Sequence, residues 1–449
     1  DERVLGSDRP TLSGDLNDDD LSTSGGDGEN SYHVVTGSGT DATAVLENFL
    51  IVRGHADGPA TPDYHNRGAG MLNDNGQPTI VLCAFASNQA GYGGGVCNLG
   101  GDPVLSKCSF ADNSAQWGGG LANFGQANPS LTDCVFTGNL ASMSGGGIYN
   151  GNSDPDLVNC IVHGNYGIDS GGGLCNHVSA PSLVNCTVTY NRADTVAGGI
   201  HNCYGRSPTL TNCILWGNEV GGITDEPAQM SGESPVVNYT CVQGWTGGLG
   251  GEGNMGDDPL FVVDGFGTDG LPGTADDDLH LQSGSPCINA GNYDVTGLPA
   301  QDLDGNPRVQ QCRADMGAYE SADPPAAFDD CNTNSIDDDC DLFAGTSPDC
   351  NQNHEPDECD IAGGASLDCN ATTIPDECET IGDGDFDADG EVTTVDYAVL
   401  FDCLAGPMAP PDPPLPPECV DLCLTVFDSD EDGDVDLEDV AWFQEAFGE

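Results

Sequence analysis

Cysteine recurs through the first half of the chain at a nearly constant interval. The series runs through Cys83, Cys108, Cys134, Cys160, Cys186, Cys213 and Cys241. Its successive intervals are 25, 26, 26, 26, 27 and 28 residues, and three other series keep the same period. These are Gly-rich runs that end at Asn73, Asn98, Asn123, Asn150, Asn176 and Asn202, a lone Asn at 88, 113, 139, 165, 191 and 218, and a recurring Pro. A unit this short cannot bury its apolar face alone, so the units must stack around one continuous core.

Each unit consists of short alternating segments separated by turn formers. It begins with Gly-Gly-Gly-apolar-x-Asn, continues through a Pro turn, and ends in an apolar stretch around the Cys. Stacking at the strand spacing of about 4.8 Å predicts a mainly β fold, a right-handed parallel β-helix or solenoid, with like residues over like. We assign this domain to residues 1–322, with regular coils at about 64–245 and a closing segment at about 246–322.

The repeated residue types predict how the coils are held together. An inward Asn can bond its own turn and the Asn of the next coil, which forms a ladder. The periodic cysteines are expected to point inward as mostly free thiols, because Cys is among the most buried residue types and strand geometry rarely suits a disulfide. Cys97, Cys175 and Cys203 lie outside the series and could pair.

The repeats resemble those of a known family. Gly-rich GGGV, GGGL and GGGI turns alternate with an F-x-x-N motif, found as FASN (85–88), FADN (110–113) and FTGN (136–139). This alternation resembles the repeats of polymorphic outer-membrane proteins, a family of bacterial autotransporter adhesins. The end of the domain resembles the closing part of large secreted bacterial β-helix proteins in SPCINAGN (285–292), DLDGNPR (302–308) and DMGAYE (315–320). These resemblances imply an extracellular or bacterial cell-surface location, but no single activity.

Charge and cysteine content narrow the partners and the compartment. Asp and Glu number 74 against 9 Lys and Arg, which gives a formal net charge of −65. The strongly negative electrostatic potential that this charge creates argues against nucleic acid and anionic membrane surfaces as partners. No stretch approaches the roughly 20 apolar residues of a membrane-spanning helix, so we expect no membrane span. The 21 cysteines indicate export to an oxidising compartment.

A second repeat, of 19 residues, follows the β-helix. The units read DCNTNSIDDDCD, DCNQNHEPDECD and DCNATTIPDECE, with first cysteines at 331, 350 and 369 and second cysteines at 340, 359 and 378. Pairing within a unit would close loops of about ten residues, each giving roughly 2.5–3 kcal/mol on the chain-entropy model. We assign residues 323–380 to a Cys-rich spacer that needs such disulfides because it has few apolar residues.

The spacer also carries hard oxygen ligands of the kind that calcium prefers. The candidates follow the first cysteine or precede the second: Asn332, Asn334, Asp338, Asn351, Asn353, Asp357, Asn370 and Asp376. The pattern resembles the calcium-binding repeats of thrombospondin type 3 modules, which implies one calcium site per unit. The alternative is a disulfide-linked spacer without ions.

Two 12-residue acidic loops lie near the end of the chain, within residues 381–449. Each has Asp at positions 1, 3, 5 and 12 and Gly at position 6, the pattern of an EF-hand calcium loop. The predicted ligands are Asp385, Asp387, Asp389, Glu391 and Asp396 in the first loop, and Asp428, Asp430, Asp432, Asp434 and Asp439 in the second. Position 7, Glu391 or Asp434, would contribute its backbone carbonyl. A helix is predicted after each loop, at 395–404 and 437–447.

The duplicated loop and exit helix resemble a type I dockerin, the module that docks onto cohesin domains. The resemblance covers residues 383–449 and implies Ca²⁺ as cofactor and a cohesin-like or cell-surface protein as partner. Cys403 could form a disulfide with Cys419 or Cys423.

The sequence offers no recognisable catalytic constellation. The cationic residues of the coils are not in a known motif, and His163, His177 and His201 fall in different registers of the repeat. We therefore predict a secreted, calcium-stabilised, non-catalytic adhesion or matrix protein attached through its C-terminal module. Two alternatives remain open: a polysaccharide lyase or glycoside hydrolase acting on an extracellular polysaccharide, and a fibre subunit that self-associates by end-to-end stacking.

Overall fold

The computed structural model describes residues 9–16, 30–60, 64–204, 206–232, 235–263, 265–292, 295, 297–310, 313–323, 330–334, 336–353, 355–379, 384–404, 419–431 and 433–447. The chain divides into two compact units, residues 1–327 and 328–449. The first unit contains the predicted β-helix domain. The Cys-rich repeats and the two acidic loops both fall in the second unit.

The first unit is a parallel β-solenoid. Its described strands form four parallel sheets of nine, eight, eight and seven strands, named here sheets A to D. Sheet A contains Thr11–Ser13, Leu50–Val52, Ala84–Ala86, Ser109–Ala111, Val135–Thr137, Ile161–His163, Thr187–Thr189, Ile214–Trp216 and Cys241–Val242. Sheet B contains Val35–Thr36, Met71–Asp74, Val96–Leu99, Leu121–Phe124, Ile148–Gly151, Leu174–His177, Ile200–Cys203 and Met230–Gly232.

The other two sheets complete each coil. Sheet C contains Val45–Glu47, Thr79–Val81, Val104–Ser106, Ser130–Thr132, Asp156–Val158, Ser182–Val184, Thr209–Thr211 and Val236–Asn238. Sheet D contains His55–Ala56, Gln89–Ala90, Ser114–Trp117, Leu140–Ser144, Tyr166–Gly167, Arg192–Ala193 and Glu219–Val220. The predicted solenoid is therefore confirmed, and its coils begin upstream of the most regular repeats.

Like residues lie over like along the coils, as the common period predicts. Phe85, Phe110 and Phe136 are in register in sheet A. Their rings stack with centroid separations of 5.2 and 4.4 Å. All three side chains are fully buried, so the column forms part of the apolar core.

Two ladders of buried Asn side chains link successive coils. In the first, Asn98 donates from Nδ2 to Asn123 Oδ1 at 2.8 Å. In the second, Asn139 donates from Nδ2 to Asn165 Oδ1 at 2.9 Å and to the Phe110 carbonyl oxygen at 2.8 Å. The second ladder also satisfies backbone groups, because its Asn side chains bond main-chain carbonyl oxygens of the preceding coil, and the two ladders confirm the predicted role of Asn.

Six of the periodic cysteines, from Cys83 to Cys213, lie inside the core as thiols, as predicted. The seventh, Cys241, is also a buried thiol, but it is in register with outward-facing Ile214 and packs under the closing segment, so the inward prediction was wrong there. Cys134 donates from Sγ to the Leu105 carbonyl oxygen of the preceding coil at 3.6 Å. Burial raises the pKa of the Cys134 thiol well above its ordinary value, which keeps the sulfur protonated and unreactive. Cys97 and Cys175 are also buried thiols, so neither has formed the disulfide that the sequence left open.

The Gly-rich turns are required because neighbouring coils approach very closely. A Cβ atom on Gly95 would lie 2.5 Å from the carbonyl oxygen of Gly120 in the next coil. Gly93 also has a φ of +61°, which side chains rarely adopt. A larger residue at either position would push the coils apart.

The closing segment covers the outer face of sheet A. It includes an antiparallel pair, Phe261–Val263 with Asp278–Leu281. Apolar residues of this segment, such as Leu281 and Met316, pack against outward-facing Ile161 and Ile214 of the sheet. The segment thus buries apolar surface that a solvated coil would expose.

Helices are short in the described residues. The first unit contains α1, Glu226–Gln229. The second unit contains α2 (Asp338–Ala344), α3 (Asp357–Gly363), a 3₁₀ turn (Asp376–Cys378), α4 (Thr394–Cys403), α5 (Val420–Phe427) and α6 (Leu437–Phe447). Helices α4 and α6 confirm the two predicted exit helices. Helix α5 was not predicted, and it leads directly into the second acidic loop.

The disulfides of the second unit contradict the predicted pairing within a 19-residue unit. Cys331 bonds Cys359 and Cys350 bonds Cys378, so the first cysteine of one unit joins the second cysteine of the next. Cys359 directly precedes Asp360, whose carboxylate points back into its own loop. Successive side chains of a helix diverge by about 100°. The Cys359 side chain therefore points away from that loop and reaches the preceding 19-residue repeat.

Two further disulfides connect the later part of the second unit. Cys369 bonds Cys419, which joins the third 19-residue unit to the start of α5. Cys403 bonds Cys423, one of the two pairings that the sequence left open. These bonds enclose a small core in which Phe386, Phe427 and Phe443 pack together.

Candidate metal sites

The first acidic loop brings three predicted ligands together. Asp385, Asp387 and Asp396 each place a carboxylate oxygen within 4.8 Å of the others. Asp396 is fully buried and Asp385 is buried, although both are acidic. Burial, together with the charges of Asp396 and Asp389, raises the pKa of Asp387. The cluster therefore has unfavourable self-repulsion that a cation would relieve.

Backbone N–H groups hold the buried carboxylate of Asp396 in place. Phe386 donates to Oδ1 at 2.8 Å, and Thr393 donates to Oδ2 at 2.7 Å. Thr393 is the N-cap of α4 and forms a capping box with Asp396. Position 12 of the loop thus lies in the first turn of the exit helix, directed back toward position 1.

The remaining predicted residues of this loop lie at its rim. Asp389 accepts a hydrogen bond from the Glu391 backbone at 2.8 Å, and its own N–H donates to Asp385 at 3.1 Å. Gly390, at position 6, has a φ of +87° and donates to Asp385 at 2.9 Å. Glu391 is exposed, consistent with a predicted role through its backbone carbonyl alone.

The second acidic loop repeats this arrangement between α5 and α6. Asp428, Asp430 and Asp439 bring carboxylate oxygens within 4.8 Å of one another. Ser429 and Asp436 donate backbone hydrogen bonds to the two oxygens of Asp439, both at 2.8 Å. The side chain of Asp434 is buried, and the predicted ligand Asp432 lies outside the described residues.

The 19-residue units contain loops with the same internal hydrogen bonds. In the first acidic loop the position-5 N–H donates to the position-1 carboxylate. The same bond joins Asn334 to Asp330 at 2.9 Å, Asn353 to Asp349 at 3.1 Å and Thr372 to Asp368 at 2.9 Å. Counting from these aspartates, each 19-residue unit contains a 12-residue loop with Asp at position 1 and Asn at position 3.

Position 12 of these loops is a carboxylate that the sequence reasoning missed. Asn332 and Asn334 donate from Nδ2 to Asp341 Oδ2 at 3.0 and 2.7 Å. Asn351 and Asn353 converge in the same way on Asp360. The side chains of Asp341 and Asp360 are fully buried.

The third unit has Glu379 at the equivalent place. Asn370 donates from Nδ2 to Glu379 Oε2 at 2.5 Å, and Thr372 donates to the other oxygen. The spacing 1, 3, 5 and 12 could have identified all three carboxylates, since it is the spacing of the two acidic loops.

Three residues predicted as ligands accept hydrogen bonds from backbone N–H groups of cysteines. Asp338 accepts from Cys331 at 3.1 Å, Asp357 from Cys350 at 3.0 Å and Asp376 from Cys369 at 2.9 Å. The nearby sulfurs are in disulfides, so they offer no thiolate to a metal. The predicted asparagines, by contrast, do line the loop centres.

The donor set of the five loops fits calcium. Calcium takes six to eight oxygen ligands from carboxylates, amides, backbone carbonyls and water. Each loop combines a buried Asp, or in one loop a half-buried Glu, with further oxygen-bearing side chains on the same short segment. An Asn side chain can present its oxygen as readily as its nitrogen.

Comparison with known proteins concerns the first unit. A family model described as a right handed beta helix region matches residues 63–230. No curated protein matches the chain significantly. Among the described residues, no helix has the length and apolar character needed to cross a membrane.

Proposed function

We propose that this chain is a secreted or cell-surface, non-catalytic adhesion or matrix protein, stabilised by calcium and attached through its second unit. The observation that carries the proposal is the repeated convergence of oxygen-bearing side chains in five loops: three carboxylates in each of the two acidic loops, and Asn or Thr side chains around one carboxylate in each 19-residue repeat. With a net charge of −65, the chain gains compactness when divalent cations neutralise such clusters. The solenoid then provides a rigid contact surface.

The helices after the two acidic loops support an attachment role. Large apolar side chains are exposed there: Leu437 at 79%, Val395 at 56% and Phe401 at 52%. Val395 and Leu437 lie in the first turns of α4 and α6, which calcium in the preceding loops would order. A cohesin-like or cell-surface protein is the partner that such a dockerin-like arrangement favours.

A second candidate role is contact with an acidic extracellular polysaccharide. The position of one arginine side chain favours this role. The Arg67 guanidinium lies over the rings of Tyr64, Tyr92 and Phe124, at 4.9, 5.1 and 5.7 Å. Among the described residues, no carboxylate lies within ion-pairing distance of Arg67, whereas Arg192, Arg206 and Arg308 are paired. Arg67 is therefore available to bind a uronate carboxylate, and Arg67→Lys should weaken retention on a pectate column.

Calorimetry tests the calcium proposal. Calcium is titrated into the chelator-treated full chain, while limited proteolysis follows cleavage within residues 330–447. We expect several ions to bind and that segment alone to become protected, because the solenoid core needs no ion. Magnesium at the same concentration is the control. If no calcium binds below the millimolar range, the proposal fails.

A further inference from the structure

Two neighbouring strands of sheet B bring two cysteines and two histidines to one place. The strand Leu174–His177 pairs in parallel with Ile200–Cys203. In this register Cys175 lies beside His201, and His177 lies beside Cys203. The two histidines fall in different registers of the repeat, as the sequence indicates. Each histidine is nevertheless 26 residues, the length of one coil, from the cysteine beside it.

All four side chains lie on the outer face of the sheet. Leu174 and Ile200 belong to the solenoid core. Asn176 donates to Asn202 at 2.8 Å in the interior ladder. Because side chains alternate along a strand, the residues between and after these point outward.

The four side chains occupy the corners of a small rectangle. Adjacent strands are about 4.8 Å apart, and same-face neighbours along a strand are about 6.6 Å apart. Cys203 donates from Sγ to the Asn176 carbonyl oxygen at 3.3 Å, which places its sulfur over the neighbouring strand.

One histidine has a partner that would orient it as a ligand. His201 Nδ1 lies 3.1 Å from Ser231 Oγ on the next coil. If Nδ1 carries the proton and donates to this hydroxyl, Nε2 keeps its lone pair. Such an outer hydrogen bond is the usual support of a metal-bound imidazole. His177 is exposed and packs against Tyr204 with a ring separation of 4.7 Å.

We propose that Cys175, His177, His201 and Cys203 form a binding site for one Zn²⁺ ion on the outer face of sheet B. Two thiolates and two imidazoles are the ligand set of tetrahedral zinc sites. The oxygen-lined loops of the second unit suit calcium, so this site is distinct in chemistry and does not depend on the proposed function. The strongly negative field of the chain draws cations to it.

A disulfide is the main competing use of the two cysteines. Their Cα atoms lie on the diagonal of the rectangle, about 8 Å apart by strand geometry. A disulfide needs less than about 7 Å, so it would require movement of a backbone held by the Asn ladder. Metal ligation needs no such movement, because a metal ion bridges the gap between the sulfurs.

Cobalt titration tests the site in the full chain. The protein is treated with chelator but not with reductant, so that the disulfides of the second unit stay closed. The acidic loops are saturated with Ca²⁺, and Co²⁺ is added as a spectroscopic probe. We expect one Co²⁺ per chain with a thiolate-to-cobalt charge-transfer band, which Zn²⁺ then abolishes by displacement. Carboxylate-bound Co²⁺ in the second unit would not give that band.

Variants distinguish a built site from adventitious binding. The C175S/C203S double variant should lose the band, and H201Q should bind Co²⁺ at least tenfold more weakly. S231A should weaken binding about tenfold if Ser231 orients the imidazole. C97S is the matched control, because Cys97 lies on the same face of sheet B, three coils from Cys175. The C97S variant should bind Co²⁺ normally.

Two results would overturn the proposal. One is a thiolate band that survives in C175S/C203S, and the other is a Cys175–Cys203 disulfide in peptide maps of the untreated protein. Should the double variant fail to fold, the surface variant H177Q and the H201Q variant decide, because wild-type affinity in both would exclude the imidazoles as ligands.

Discussion

Asn353 donates a hydrogen bond from Nδ2 to Asp360 across a 12-residue loop, at 3.0 Å from each carboxylate oxygen. Asp360 is fully buried and accepts from Asn351 as well. The nearby acidic residue Asp357 has a different partner, since it accepts a hydrogen bond from the Cys350 N–H at 3.0 Å. The two carboxylates, three residues apart, therefore have different partners: Asp360 faces the loop centre, where we propose that calcium binds, and Asp357 supports the loop backbone.

Substitution of these two residues should have different effects. Asp360→Asn removes the charged ligand, so we expect one calcium ion fewer per chain in calorimetry. Asp357→Asn keeps a side-chain oxygen for Cys350 and should leave the number of ions unchanged. A loss of one ion in Asp357→Asn but not in Asp360→Asn would reverse the assignment.

The disulfides should be found between successive 19-residue units. Digestion of the unreduced protein with free thiols blocked should release Cys331 linked to Cys359 and Cys350 linked to Cys378. Cys350→Ser should then expose Cys378 to alkylation and leave Cys359 protected. A peptide that links Cys350 to Cys359 would contradict the structure.

The stability of the closing segment should fall as pH rises. Burial and the nearby charge of Asp315 raise the pKa of Glu320 to about 9, although Arg308 donates to it at 2.6 Å. The unfolded chain ionises Glu near pH 4.3, so between these values the folded state holds an extra proton. The unfolding free energy contributed by Glu320 is therefore largest below about pH 4 and is lost progressively up to about pH 9.

Glu320→Gln removes this proton linkage. The urea midpoint of the variant should fall less steeply between pH 6 and 9 than that of the wild type. Asp156→Asn, at an exposed position of sheet C, is the control and should keep the wild-type slope. Identical slopes in the wild type and Glu320→Gln would show that Glu320 is already ionised in the folded state.

The Asn ladder should contribute strongly to solenoid stability. Asn139 bonds the Phe110 carbonyl and Asn165, and its own Oδ1 accepts from the Asn113 N–H at 3.1 Å. Asn139→Ala leaves such buried groups without partners, and each costs about 1–3 kcal/mol. We expect a clear drop in the urea midpoint, with exposed Gln116→Ala as a control that changes little. An unchanged midpoint would mean that water replaces the ladder.

Much of the solenoid could be predicted from the sequence. The period, the inward Cys and Asn columns and the Gly-rich corners follow from local strand and turn patterns that repeat in every coil. The spacing of Asp385, Asp387 and Asp396 likewise predicted a cluster, because all three lie on one short loop. Each of these features depends on residues close together in the chain or exactly one repeat apart.

Only the tertiary structure decided the features that depend on distant contacts or on the direction of a side chain. Arg308 is buried against Asn159, which is 149 residues away, and no local pattern indicates that contact. The partner of Cys350 depends on the direction in which the Cys359 side chain projects from α3. Likewise, Cys175 and His201 lie together because their side chains are on the same face of sheet B. The sequence by itself determined the repeating backbone and the acidic loops, because both are encoded locally, whereas side-chain partners across coils and units were decided by packing.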